Sequence, residues 1–245
     1  MRTKTSSLLA FKYERLDRMS LLSIFLVLIS AALHVWWNYL TKASQNPKAF
    51  SLIKGLMILA LALSVLSFIP LSHISSRVWF FLVLSGIIHA LYSLSLASAY
   101  EVGDISFVYP IARSAPAFVP IAAFLVIGEQ ISLRGGIGIV ITVVAVWIMQ
   151  IRGDFGLEIK HLWKFLKKRD SMWAFITLFS VIVYTIIDKQ GMVAFNDVPE
   201  IDPWVQGPVY FLLEASISYI IFWTYAVLHL KIDVRPTFKS EWPKV

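Results

Sequence analysis

Residues 99–147 read AYEVGDISFVYPIARSAPAFVPIAAFLVIGEQISLRGGIGIVITVVAVW. Two apolar runs, Ile105–Ile127 and Arg134–Ile151, flank a short polar turn that holds Gly128, Glu129 and Ser132. A bilayer core is crossed by roughly 20 apolar residues in helical form. Both runs are close to that length, and within the first the only charge is Arg113. Neither run alternates polar and apolar residues as a membrane barrel strand does, so helices are the spanning element.

Working outward, the same reading applies to Leu21–Thr41, Ser51–Leu71, Trp79–Ala99, Trp173–Ala194 and Gln206–Leu230. The expected fold is an all-α membrane protein, a multi-helix transmembrane bundle of about seven spans. Composition agrees. The chain is 58% hydrophobic and 15% charged, where a soluble domain averages about 45–50% and about 25%. Connections are too short for a sizeable soluble domain. The net charge of +7 lies largely in loops and tails beside apolar runs. Anionic headgroups of the lipid bilayer are therefore the expected partner, and nucleic acid is not. The absence of cysteine removes disulfide and thiolate chemistry. The first span follows a basic lead and contains Ser30, Ala31 and Ala32, as a cleaved leader does. It continues through Trp36, Trp37 and Tyr39, longer than a leader's apolar core, and is read as a span.

The longest connection, Arg152–Asp170, has its own pattern. Ile159, Leu162, Trp163 and Leu166 recur at helical spacing, with Lys160, Lys164, Lys167 and Lys168 on the other stripe. This predicts a basic amphipathic helix on the membrane surface, with a solvated linker as the alternative. That segment and the basic C-terminal tail, 231–245, fall on one side and both ask to be cytoplasmic. The basic N-terminal tail, 1–20, then falls outside. Translation from Met19 would remove the conflict.

A shift of the chain by about 150 positions lays the sixth span on the first. Ser30, His34 and Asn38 then meet Ser180, Tyr184 and Asp188, and the last two of each set share a helical face. An odd number of spans per repeat inserts the second copy upside down, an architecture in which transporters place substrate between the halves.

The stretch quoted first carries a resemblance. The Ala99–Tyr100 helix end, the Gly103–Asp104 turn, the proline-rich run with Pro110, Pro116 and Pro120, the Gly128–Glu129 pair and the glycine-rich run after Ser132 resemble the EamA module of the drug/metabolite transporter superfamily. The opening Ala31–Asn38 with Lys42 is also similar to that family's start. The likeness covers Leu21–Ile151 closely and Ser171–Leu230 loosely. It implies a five-helix module at 21–151, the linker at 152–170, and the first two helices of an inverted second module at 171–230. Members usually carry two whole modules, so the resemblance also implies a chain shortened by about three spans. On that reading the central cavity opens toward lipid and is closed by further helices or by a homodimer partner. The family's usual topology would place the amphipathic segment outside, against the charge count.

Site candidates are the polar groups at membrane depth. The three prolines bend or break the fourth span. Arg113, between them, lies roughly 12 Å into it. Facing lipid there costs at least about 2.5–3.5 kcal/mol, so it is expected to face a cavity or carboxylate, and its fork suits an anionic substrate group. Snorkelling to the interface is the alternative. Glu214 is an intramembrane carboxyl that could exchange a proton, or else pair with Arg113, Ser216 or Ser218. His34 and Asn38 share one face of the first span, and His89 and Tyr92 one face of the third. With Tyr109 and Tyr184 they complete the expected substrate-binding set, His34, Asn38, His89, Tyr92, Tyr109, Arg113, Tyr184 and Glu214. Glu129 is read as structural, pairing with Arg134 or capping at Ser132, and Gly135, Gly136 and Gly138 as close-packing positions.

The histidines lie on different spans without metal-ligand spacing, and no catalytic residue, metal or cofactor is expected. The leading reading is a multi-pass transporter of small metabolites or drug-like molecules in the cell membrane, the bacterial inner membrane, exporting its small-molecule substrate in exchange for protons. An inactive or obligately assembled fragment is the alternative. An intramembrane enzyme lacks a converging nucleophile and base. A retinal protein would need a lysine inside Gln206–Leu230, which has none.

Overall fold

The computed structural model describes residues 21–103, 105–150 and 169–241. The amphipathic segment Leu157–Lys168 and the N-terminal tail lie outside the described residues. Those described form helices and no strand. In chain order they are α1 (Leu21–Ala43), α2 (Pro47–Leu66), a 3-10 turn (Leu71–His73), α3 (Ser76–Val102), α4 (Ile105–Ala112), α5 (Ala115–Ile127), α6 (Leu133–Gln150), α7 (Arg169–Phe195), α8 (Pro203–Leu228) and α9 (Arg235–Glu241).

Local chemistry sets the ends. Asn46 accepts the Ala49 N–H at 3.0 Å and Pro47 opens α2. Asp202 accepts the Trp204 N–H at 2.8 Å and Pro203 opens α8. Both are N-caps with proline where no N–H is needed. Gly128 ends α5 with φ of 71°, a left-handed turn that glycine makes without a side-chain clash. Lys42 Nζ donates to the Tyr100 and Gly103 carbonyls at 2.7 and 2.5 Å, covering the C-terminal end of α3.

Among the described residues six helical stretches are long and apolar enough to cross a membrane: Ile24–Ala43, Pro47–Leu66, Ser76–Val102, Val108–Ile127, Ser171–Phe195 and Pro203–Leu228. They give the chain the character of a multi-pass membrane protein. The described part of the expected span Arg134–Ile151, up to Gln150, lies in α6, which contributes the shorter apolar stretch Leu133–Ala145.

The chain divides into two units, Met1–Leu40 and Thr41–Val245. In the first, α1 presents exposed Leu21, Phe25, Leu28, Leu33 and Trp36, an apolar surface of the kind that suits contact with lipid. In the second, α3 and α7 pack together most extensively. The α8 helix packs on α2 and α3, α4 and α5 on α7, and α6 on α4 and α5. One apolar core joins Val78 and Leu82 to Phe195, Val209 and Leu213, and another joins Leu52 and Ala90 to Tyr219 and Phe222. Gly55 lies against the Tyr219 ring and Gly191 against the Tyr210 hydroxyl, where a β-carbon would collide.

Three expectations change. Among the described residues a β-carbon at Gly136 or Gly138 would meet nothing within 4 Å, and at Gly135 only its own turn, so no described helix packs closely on these glycines. Glu129 pairs with Lys189 of α7, while Ser132 Oγ accepts the Gly135 N–H at 3.1 Å. Within the expected C-terminal tail, Arg235–Glu241 is helical. Glu241 is buried and accepts from Ser44 Oγ and the Gln45 N–H, each at 3.0 Å.

Candidate functional site

The fourth span is two helices. α4 ends at Ala112 and α5 begins at Ala115, leaving Arg113 and Ser114 in the break. Pro116 sits in the first turn of α5, where no N–H is needed, and has none for the Ala112 carbonyl, so the ladder from α4 does not carry on into α5. Ser114 Oγ turns back to the Ile111 carbonyl at 2.7 Å. Arg113 does not pair with Glu214. Its Nη2 donates to the Tyr92 hydroxyl at 3.0 Å, and its guanidinium stands 6.0 and 5.8 Å from the Tyr92 and Tyr109 ring centres. Both distances suit cation–π attraction.

From Tyr92 the cluster continues along α3. His89 meets Tyr92 edge-on at 5.0 Å and stacks on Tyr184 of α7 at 4.3 Å, with the ring planes 7° apart. Tyr184 also meets Tyr92 edge-on at 5.7 Å. His89 Nδ1 is 3.0 Å from Glu214 Oε1 on α8. Glu214 is 2% exposed, and that oxygen has no aligned hydrogen bond. Ser216 donates to the Leu212 carbonyl at 2.6 Å, and Ser218 is not bonded to Glu214. Neither the Arg113 nor the serine partners expected for Glu214 is therefore the one observed. Its neighbour is His89.

Asp188, one turn beyond Tyr184, adds a group that the sequence offered only as the repeat mate of Asn38. It accepts from the Tyr210 hydroxyl at 3.3 Å, sits beside Ser85, and is within electrostatic reach of Glu214 and His89. Lys54 of α2 stands 5.9 Å over the Tyr219 ring.

These contacts have an order. Along α3, Ser85 lies beside Asp188, His89 against Glu214 and Tyr184, and Tyr92 under Arg113. At 1.5 Å per residue these levels are about 6 Å and about 4.5 Å apart. Carboxyl, imidazole with carboxyl, and guanidinium follow one another along the helix axis.

The structure thus brings together His89, Tyr92, Tyr109, Arg113, Tyr184 and Glu214, all in the second unit. His34 and Asn38 belong to the first. Asn38 donates to the His34 carbonyl at 2.6 Å, and Trp37 Nε1 donates to His34 Nδ1 at 3.3 Å. Among the described residues no group of three or more histidines or acids could hold a metal ion. Compared with known protein families, curated proteins and solved structures, the chain matches none.

Proposed function

We propose that this chain is a multi-pass membrane transporter of small molecules, of the EamA drug/metabolite type, acting in a cell membrane such as the bacterial inner membrane. The observation that carries the reading is Arg113 in a helix break at membrane depth, lodged among Tyr92 and Tyr109 and one turn from the buried His89–Glu214 contact. Broken helices at that depth are how transporters present polar groups to cargo. A guanidinium held by tyrosines offers charge-assisted hydrogen bonds to a carboxylate or another anionic group. Glu214 supplies an acid able to exchange a proton with the transport cycle. The apolar exteriors of α1, α5 and α6 suit immersion in lipid. The resemblance of Ala99–Trp147 supports the choice of family, and the offset of Ser30, His34 and Asn38 against Ser180, Tyr184 and Asp188 supports an inverted second copy as its architecture.

The test is uptake into proteoliposomes holding the full chain, with radiolabelled lactate, succinate and glutamate as carboxylate probes. At least one probe should enter faster than into protein-free liposomes. A charged hydrogen bond contributes about 1.5–3 kcal/mol, so Arg113→Ala should reduce that uptake about tenfold or more. Glu214→Gln should remove its dependence on a proton gradient. Uptake no faster than in empty liposomes, or equal in both variants, would overturn the reading.

A further inference from the structure

We propose that His89, Glu214 and Asp188 form one proton-exchange site in the middle of the bundle, in which the two carboxyls and the imidazole bind and release protons as a unit. This deepens the transporter reading, on which it rests, by placing the exchanged proton on three named residues, and it stands on geometry that no cargo is needed to explain.

Depth comes first. His89 lies thirteen residues from each end of the 27-residue α3, or about 20 Å by helical rise. Glu214 is eleven residues into α8 and Asp188 seven from the end of α7. Carboxylates at such depth are costly to keep ionised and are retained where they do something. Satisfaction comes second. A carboxylate kept for architecture is held by donors, as Glu241 is by Ser44 and Gln45. Glu214 Oε1 has no such donor and touches the His89 ring nitrogen off the line of a good hydrogen bond. Asp188 is held more firmly, by Tyr210.

The surroundings favour exchange within the group. The α8 helix packs against α2, α3 and α7. From α3 it is faced by His89. From α7 Asp188 and Tyr184 act on Glu214 through space, as Tyr210 and Tyr219 do on its own helix. Lys54 of α2 is placed over Tyr219, and Arg113 reaches the group through Tyr92 and Tyr184. His89 and Glu214 are in contact and take up protons in steps that belong to the pair and not to one residue, and Asp188, one turn from the Tyr184 ring that stacks on His89, adds its charge to theirs through space. Each internal transfer breaks an N–H or O–H bond and forms another, and net uptake takes one proton from water. No electrons change hands.

The test is infrared spectroscopy of the full chain in lipid nanodiscs, titrated from acid to alkaline pH and followed at the C=O band of protonated carboxyls. Isotope-labelled glutamate separates Glu bands from Asp bands. Glu214→Gln should delete one buried Glu band. Asp188→Asn and His89→Gln, with Glu214 intact, should each move the midpoint of that band by about one pH unit or more. Circular dichroism checks that each variant keeps its helices, and the last two variants read the site even if Glu214→Gln does not fold. A Glu214 band unmoved by both substitutions, or no Glu band lost in Glu214→Gln, would overturn the shared site. Because no cargo is present, failed uptake with intact coupling would sink the transporter reading alone. Normal uptake with uncoupled carboxyls would sink this one alone.

Discussion

The His89–Glu214 contact can be weighed by a double-mutant cycle of His89→Gln, Glu214→Gln and the pair. The atoms are 3.0 Å apart, with Glu214 buried and the His89 side chain 22% exposed. Two unit charges at that separation attract by about 1.4 kcal/mol in water and about 5.5 kcal/mol at an effective dielectric constant of about 20. The partial exposure of His89 and the poor hydrogen-bond alignment argue for the lower part of that range. Contacting residues in such cycles couple by about 0.5–3 kcal/mol, and about 2 kcal/mol is expected here. The assay is unfolding of the purified chain in mixed micelles of increasing SDS fraction, followed by tryptophan fluorescence. Single effects that add to within about 0.5 kcal/mol would show the two groups are neighbours without interaction, and the charge argument would fail.

Two further outcomes follow from packing. Gly55→Ala should destabilise by about 1–3 kcal/mol, because its methyl group meets the buried Tyr219 ring. Gly136→Ala, with open space at the same atom, should change the same unfolding midpoint by no more than about 0.5 kcal/mol. Glu241→Ala should cost about 1.5–3 kcal/mol by removing a charged acceptor from Ser44 and Gln45. It should also speed proteolytic trimming of the C-terminal residues, read by intact-mass spectrometry, and an unchanged trimming rate would show that α9 is not held by that carboxylate.

Most spans were legible because their signal is length and apolarity, which need no partner. A bend or break in the fourth span was legible too, since each of its prolines removes a donor wherever the helix packs. Partnerships were not. The α8 helix is apolar nearly all round, so no face of it points to a neighbour in the sequence. Glu214 could therefore be placed at depth but not against His89. Glu129 likewise had Arg134 as a nearby partner in sequence, yet meets Lys189 sixty residues on. The helix at Arg235–Glu241 was hidden in a short charged segment whose order comes from Ser44 and Gln45, far away along the chain.

Asp188 shows what the sequence could offer and what only the fold adds. Its place four residues after Tyr184 was visible, and that spacing sets both on one face of α7. Its role depends on α7 running antiparallel to α3. Moving from Tyr184 to Asp188 along α7 corresponds to moving from His89 back to Ser85 along α3. Tyr92 and Arg113 lie the other way. The acid and the guanidinium are thus at opposite ends of the His89–Glu214 level. A fixed positive charge repels a mobile proton, whereas a carboxyl receives one. The proposed proton site then has a carboxyl, Asp188, on one side of the His89–Glu214 level and a guanidinium, Arg113, on the other. An anionic cargo group would be drawn to Arg113, the end that the proton avoids. Two opposite charges could so occupy one bundle at different levels, without competing for the same atoms.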